Sequence, residues 1–355
     1  MNNISNFYKN KKVLITGVTG FKGAWLAKWL LLIGANVYGL GLSKKKKKNL
    51  FYQLNLEKKI YLKFIDIRNI KKLTSYINKI KPSIVFHFAS QTLIYNSYKF
   101  PQQTFDINCM GSLNILEITR KSKFIKSLII TTSDKCYESK KGSKGFKEID
   151  RLGGVDPYSA SKVSVEVMLR AYQKSFFEKK RVGASSVRSG NVIGGGDWSA
   201  KRLIPDCITS LRKGKTIFLR NPNFNRPWQF VLEPLRGYLI LAKEQFKNPK
   251  KYSSAWNFGT KRNTVTNVKT IVKHLVNFWG TGKIKIGKNI FYEQMNLQLN
   301  IDKAKKILKW IPTYNIKHSI KLTVEWYKRV TIKKEDPTKV TEDQIKEYMH
   351  DSKIN

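Results

Sequence analysis

Acidic residues are scarce in this chain: 24 aspartates and glutamates face 68 lysines and arginines, a formal charge of +44 over 355 residues. Cysteine is scarcer still. Cys109, Cys136 and Cys207 form no C-x-x-C pair and leave one thiol over, which excludes a disulfide framework and a cysteine-built zinc site. The four histidines, His87, His274, His318 and His350, are scattered, so no metal site is expected. Both scarcities suit a reducing cytoplasm, the expected compartment. Long hydrophobic runs are also missing. The most apolar region, Ala24 to Leu42, is interrupted by Lys28, Gly34, Asn36 and Gly39, and reads as a buried helix followed by a strand rather than a membrane span. A strand already begins near Lys11, so no leader peptide is expected.

What remains is the composition of a folded protein: 41% hydrophobic and 12% aromatic residues, in a chain long enough for one large domain or two joined lobes. The positive charge is spread along the whole sequence, and the one dense run, Lys44 to Lys48, falls where a loop should follow the second strand. Such a distribution describes solvated faces, so neither a nucleic-acid nor a membrane partner is expected. The field would still speed the arrival of a diphosphate.

Apolar runs alternate with helical periodicity. Strands are expected at Lys12–Thr16, Asn36–Gly41, Ile60–Ile65, Ser83–Phe88, Ser127–Thr132 and Gly183–Arg188. Helices are expected over Phe21–Ile33, Asp106–Lys121 and Tyr158–Phe177. This rhythm predicts an α/β fold with a doubly wound parallel sheet of Rossmann type and a smaller C-terminal α/β lobe. Residues 1–190 with about 228–259 would form the cofactor domain, 191–227 with about 260–330 the substrate lobe, and 331–355 an extension. Thr341-Glu342-Asp343-Gln344 fits a capping box for a last short helix there.

Gly17-Val18-Thr19-Gly20-Phe21-Lys22-Gly23 follows the first strand and opens the first helix. Gly17, Gly20, Phe21 and Gly23 are therefore candidates to cradle a dinucleotide pyrophosphate at the helix N-terminus. Lys22 is followed by glycine, which rules out a Walker A loop. No acidic residue ends the second strand, leaving NAD and NADP open by the ribose rule. Asp66 and Ile67 stand where an adenine contact or an ordinary helix cap would fall. Ala89 and Gln91 should pass beside the nicotinamide end.

Thr132-Ser133-Asp134-Lys135-Cys136-Tyr137 follows the fifth strand, and Tyr158-Ser159-Ala160-Ser161-Lys162 follows that. A hydroxyl, an acid and an amine in succession, ahead of a Tyr-x-x-x-Lys pair, exceed what simple dehydrogenation needs. They suggest oxidation at one carbon coupled to proton chemistry at its neighbours. Arg202 and Arg226 are candidates for a diphosphate, since guanidinium groups bind phosphate bidentately. Asn191, just after the sixth strand, is a candidate sugar or diphosphate ligand.

These phrases, with Leu152-Gly153-Gly154-Val155-Asp156-Pro157-Tyr158, Gly190-Asn191-Val192-Ile193-Gly194-Gly195-Gly196-Asp197-Trp198 and Arg226-Pro227-Trp228-Gln229, resemble the extended short-chain dehydrogenase/reductase family along essentially the whole chain. Within it they are similar to enzymes that dehydrate nucleotide sugars. The resemblance implies NAD as cofactor, CDP-glucose as substrate and a homodimer or higher homo-oligomer. It also implies roles. Tyr158 would be base at the sugar C4 hydroxyl, with Lys162 lowering its pKa and holding the ribose, and Ser133 would bind the developing ketone oxygen. Asp134 would be acid at the C6 hydroxyl, and Lys135 base at C5 where sister enzymes carry glutamate. Tyr95 and Asn96 depart from an expected arginine, Ser189 from an alanine and Phe230 from a histidine. An acid next to an amine also favours the ion pair, so the protonation of Asp134 and Lys135 stays open at this point.

Overall fold

The structure is a computed structural model that describes residues 4–42, 49–138, 145–219, 221–261, 266–287 and 298–353. The Lys44–Lys48 run lies outside them. Strands run in chain order as β1 Lys12–Thr16, β2 Asn36–Gly41, β3 Tyr61–Phe64, β4 Ile84–His87, β5 Ser127–Thr131 and β6 Gly183–Ser189. They continue as β7 Asn191–Ile193, β8 Ile217–Leu219, β9 Asn225–Arg226, β10 Trp228–Phe230, β11 Ala255–Phe258, β12 Thr266–Asn267 and β13 Ile284–Ile286.

Seven of them form one parallel sheet in the order β11-β6-β5-β4-β1-β2-β3. The order reverses between β1 and β4, the switch point at which doubly wound sheets bind ligands. Its central strands are buried on both faces; β1, β4 and β5 carry near-continuous apolar runs, whereas β6 is buried with Ser185, Ser186, Arg188 and Ser189 inside it. Alternation sorts their side chains into two cores. Val13, Ile15, Phe86, Ile129 and Val187 pack under the helices Phe21–Leu32 and Leu232–Lys247, whereas Leu14, Val85, Leu128 and Ile130 pack under Ile70–Ile80, Gly111–Lys121 and Pro157–Tyr172. The remaining strands pair off as β7 with β10, β9 with β12, and β8 with β13.

The expected helix from Asp106 in fact starts at Pro101, which takes the first helical position, and passes through a π turn at Asp106–Met110. The expected capping box at Thr341 is not one. The final helix is longer, Pro337–Asp351, and is capped by Asp336, whose side chain accepts from Thr338 N. Thr341 is buried inside it and accepts from Trp326 Nε1 at 2.9 Å. An Asp-Pro pair is a complete start signal, and it precedes the box. This helix lies against Phe21–Leu32, joined by the Lys28–Glu342 ion pair and the edge-on contact of Trp29 with Tyr348.

Candidate active site

The turn after β1 is built by close approach. Gly17 has φ +70°, and a side chain there would meet Ala89 N at 2.6 Å; one at Gly23 would meet Gly17 O at 2.4 Å. Gly20 caps the Phe21–Leu32 helix with no side-chain bond, which leaves its first-turn N–H groups without a side-chain cap. A pyrophosphate fits this cradle, because the backbone can approach it and the helix dipole favours its charge. Phe21 is half-buried beside Gly194. Gly23→Ala is expected to cost about 1–3 kcal/mol by overpacking and to weaken dinucleotide binding, both read from melting curves with and without NAD.

Beneath the cradle, His87 joins Thr16 Oγ1 at 2.7 Å and Ser112 Oγ at 3.0 Å, and Thr16 Oγ1 accepts from Ala89 N at 3.2 Å. Burial, with Lys162 nearby, lowers the His87 pKa to about 3, so the ring is a neutral brace between β1, β4 and the helix Gly111–Lys121. Asp66 is not a helix cap, for Asn69 caps Ile70–Ile80. Its carboxylate is held in a fork by Arg68, which also reaches Asp106 at 2.7 Å, and is kept below the ordinary carboxylate range by that bonding. Ile67 is buried over Gly111. The Gln91 amide is engaged with Leu93 and Thr104.

After β5 the chain makes a single 3₁₀ turn, Asp134–Cys136, capped by Ser133, whose hydroxyl accepts from Lys135 N at 3.2 Å and donates to Asp134 Oδ1 at 3.1 Å. The Pro157–Tyr172 helix, capped by Asp156, brings Tyr158 against Ser133 and puts Lys162 one turn further along. Lys162 Nζ donates to Thr131 O at 3.1 Å. Ser133, Asp134, Lys135, Tyr158 and Lys162 are therefore brought together at the C-terminal end of β5.

Burial sets the proton affinities here. It lowers Lys162 to about 8, while Cys136, Cys109 and the Glu166 carboxylate pull the other way. It raises Tyr158, with the Ser133 bond opposing. Asp134 is raised too: desolvation outweighs Lys135, the Ser133 bond, Arg226 and Lys22. The carboxyl thus leans towards its neutral, proton-donating form although three cations surround it. Gly190 makes room for it, since a side chain there would lie 2.8 Å from Pro227 Cγ and 3.5 Å from Asp134 Oδ2.

Sequence reasoning missed Lys22 as a site residue. Its ammonium donates to Ser189 Oγ at 3.0 Å, which also receives the Tyr238 hydroxyl at 3.1 Å. Burial, then Arg202, lowers it to about 8, while Asp134 pulls the other way. The signal was its place inside the glycine motif, in the first turn of the helix. Ser189 thus has a definite partner where the family's alanine would have none. Arg226 is buried, faces Phe224 and lies within electrostatic reach of Asp134. Arg202 pairs with Asp197 at 3.0 Å and donates to Thr92 Oγ1 at 3.2 Å, and its charge is felt at Lys22 and Tyr158. Asn191 is half-buried, opposite Trp228 in the β7–β10 register. Phe230 belongs to the core, edge-on to Trp25, and the exposed Tyr95 ring sits under the Lys201 ammonium. Among the described residues no group of His, Cys, Asp and Glu could hold a metal ion, and no helix is long and apolar enough to cross a membrane.

A doubly wound sheet with a glycine cradle at β1 and a Ser–Tyr–Lys set at β5 defines an extended short-chain dehydrogenase/reductase. Residues 14–323 match the model of the GDP-mannose 4,6 dehydratase family, and the chain belongs to that family. It is 39% identical over 351 residues to CDP-glucose 4,6-dehydratase of Salmonella typhimurium, covering 97% of this chain and 98% of that protein. Among solved structures, dTDP-glucose 4,6-dehydratase of Bacillus anthracis in complex with NAD superposes with a TM-score of 0.77 at 21% identity, covering 91% and 98% of the two chains. UDP-glucose 4-epimerase of Thermotoga maritima with UDP-glucose gives 0.78 at 21% identity, covering 90% and 99%. At that identity the likeness is one of fold.

Proposed function

We propose that the protein is an NAD-dependent hydro-lyase converting CDP-glucose to CDP-4-dehydro-6-deoxyglucose and water. The observation that carries this reading is a buried acid, Asp134, raised in pKa and next to an amine, beside a Ser133–Tyr158–Lys162 oxidation set. Simple oxidation or epimerisation at C4 leaves that acid and amine without work. The 39% identity across nearly the whole chain supports the same chemistry and the cytidine nucleotide.

Gly17, Gly20, Phe21 and Gly23 would hold the pyrophosphate, Asp66 and Ile67 the adenosine end, Ala89 and Gln91 the far ribose, with Tyr158 and Lys162 at the nicotinamide. Bound there, NAD would supply reversible two-electron chemistry, accepting and giving back a hydride. Tyr158 removes the C4 hydroxyl proton, helped by the neighbouring Lys162 charge, and Ser133 donates to the forming ketone oxygen. The ketone acidifies C5; Lys135 takes that proton while Asp134 gives one to the departing C6 hydroxyl. Arg202, Arg226 and Asn191 hold the diphosphate and sugar.

Residues 1–190 with about 228–259 make the cofactor domain, supported by β11 joining the main sheet, and 191–227 with about 260–330 the substrate lobe. Residues 331–355 make the extension, and its helix Pro337–Asp351 packs behind the cofactor helix, supported by the Trp29–Tyr348 contact. Tyr98, Phe100, Phe105, Met110 and Val167, exposed on neighbouring helices, support a homodimer through that face. The enzyme works in the cytoplasm, in deoxysugar synthesis for surface polysaccharides.

CDP-, dTDP-, UDP- and GDP-glucose offered in parallel test the substrate: CDP-glucose is expected to give the highest kcat/KM, and preference for another would overturn the nucleotide assignment. The pH profile carries a second expectation. Lys162 must stay protonated to activate Tyr158. kcat/KM should therefore fall above about pH 8, the Lys162 value. Lys162→Arg, which cannot lose its charge, should move that limb upward.

A further inference from the structure

The Ser-Asp-Lys-Cys-Tyr phrase ends in a residue for which the dehydration has no use. Tyr137 is buried, and its hydroxyl donates to Asn257 Oδ1 at 2.8 Å while accepting from Arg188 Nη1 at 2.7 Å. Arg188 forks onto Glu166 through Nε and Nη2, both at 2.8 Å. The same carboxylate accepts from Thr132 Oγ1 at 2.5 Å and Ser186 Oγ at 2.6 Å. Asn257 in turn donates through Nδ2 to Phe146 O at 2.8 Å and Asn300 O at 3.2 Å, and through its backbone N to Glu148 Oε1 at 2.9 Å.

The geometry is specific. Thr132 precedes the catalytic turn and Tyr137 follows it, and both are tied to one buried ion pair, Glu166–Arg188. Asn257 extends the tie to Phe146, Glu148 and Asn300, two segments that are themselves paired through Phe146 N to Gln298 O and Asn300 N to Phe146 O, both at 2.8 Å. A buried ion pair is a poor source of stability, because desolvation consumes most of its Coulomb gain. A fully bonded one fixes geometry.

We propose that the Glu166–Arg188–Tyr137–Asn257 chain sets the position of the Asp134–Lys135 turn and couples it to the segments around residues 146–148 and 298–300, with Tyr137 as its positioning residue. The set-up separates two steps of the reaction. Tyr158 and Lys162 ride on the Pro157–Tyr172 helix, which has its own cap at Asp156 and carries Glu166, the anchored end of the chain. Asp134 and Lys135 lie on the tethered turn. Ser133 caps the same turn, so loosening the chain at Tyr137 should slow oxidation at C4 somewhat, and elimination, which takes both its proton-transfer groups from the turn, more.

Tyr137→Phe tests this, because it keeps the ring and its stack on Phe146 (centroids 4.9 Å apart) and deletes only the shared hydroxyl. The kinetic arm rests on the dehydratase reading. kcat should fall about ten- to a hundredfold, as expected for small misplacement, with KM changed less than about twofold. Quenched reactions should contain 4-keto-glucose nucleotide that has not lost water. Arg188→Lys, whose ammonium cannot make the fork, should show the same build-up. The second arm needs no substrate: amide hydrogen exchange in Tyr137→Phe should quicken together at 133–137 and at 298–300, by about tenfold. Unchanged exchange in both segments, or turnover slowed without the uneliminated ketone, would overturn the proposal. Wild-type protein inert towards CDP-glucose would instead sink the dehydratase reading, and the exchange arm alone would then decide the network.

Discussion

Lys135→Met is expected to lower overall dehydration by about 10²–10⁴-fold, the range that general acid–base groups contribute. The lysine stands on the turn that follows β5, next to the buried carboxyl of Asp134. Methionine fills similar volume and carries no proton acceptor. Oxidation at C4 uses Tyr158, Lys162 and Ser133, all untouched, so the 4-keto-glucose nucleotide should form and stop. In deuterated water its C5 position should then remain protonated. Asp134→Asn gives the complementary pattern: the base still works, so C5 should exchange with solvent, but the C6 hydroxyl should stay in place. Normal turnover by Lys135→Met would remove the lysine from the base role. C5 exchange surviving in that variant would do the same.

Lys162→Met should raise stability while destroying activity. The folded protein holds this lysine at about 8 against an ordinary 10.5, which means that burial disfavours its charge. At neutral pH the unfolded chain binds that proton more tightly, so the folded state bears a penalty of roughly 3 kcal/mol at 1.36 kcal/mol per pKa unit. The lost bond to Thr131 O returns about 1 kcal/mol of it. A net gain of about 2 kcal/mol is expected in urea unfolding at pH 7. For a depressed lysine the penalty is full below the folded pKa and fades as pH rises from about 8 towards 10.5. The advantage of the variant should shrink over that window. A variant less stable than wild type at pH 7 would mean that the Lys162 contacts outweigh its desolvation. Activity should drop at least about 10²-fold, since Tyr158 loses the charge that makes it a base.

The sheet was legible because β1, β4 and β5 are apolar on both faces, as a buried parallel sheet favours. The Ser133–Lys135 and Tyr158–Lys162 clusters were legible because each is local: one turn and one helix fix their members' relation. Three features were not. β11 is a four-residue strand after a long helix, and only its pairing with β6 identifies it. Lys22 became a site residue through Ser189, far along the chain at the end of β6. The Glu166–Arg188–Tyr137–Asn257 chain joins residues from one helix, two strands and a loop, so no spacing rule could find it. The Thr341 box illustrates the opposite error, a correct motif overridden by the Asp336–Pro337 start a few residues earlier.

CDP-glucose carrying deuterium at C4, given to purified protein with catalytic NAD, tests the central claim most directly. A product lighter by one water, with the deuterium now at C6 and no net change in the cofactor, is the predicted result. Retention of all oxygen with deuterium lost or returned to C4 would contradict it, because Asp134 and Lys135 would then have no elimination to perform.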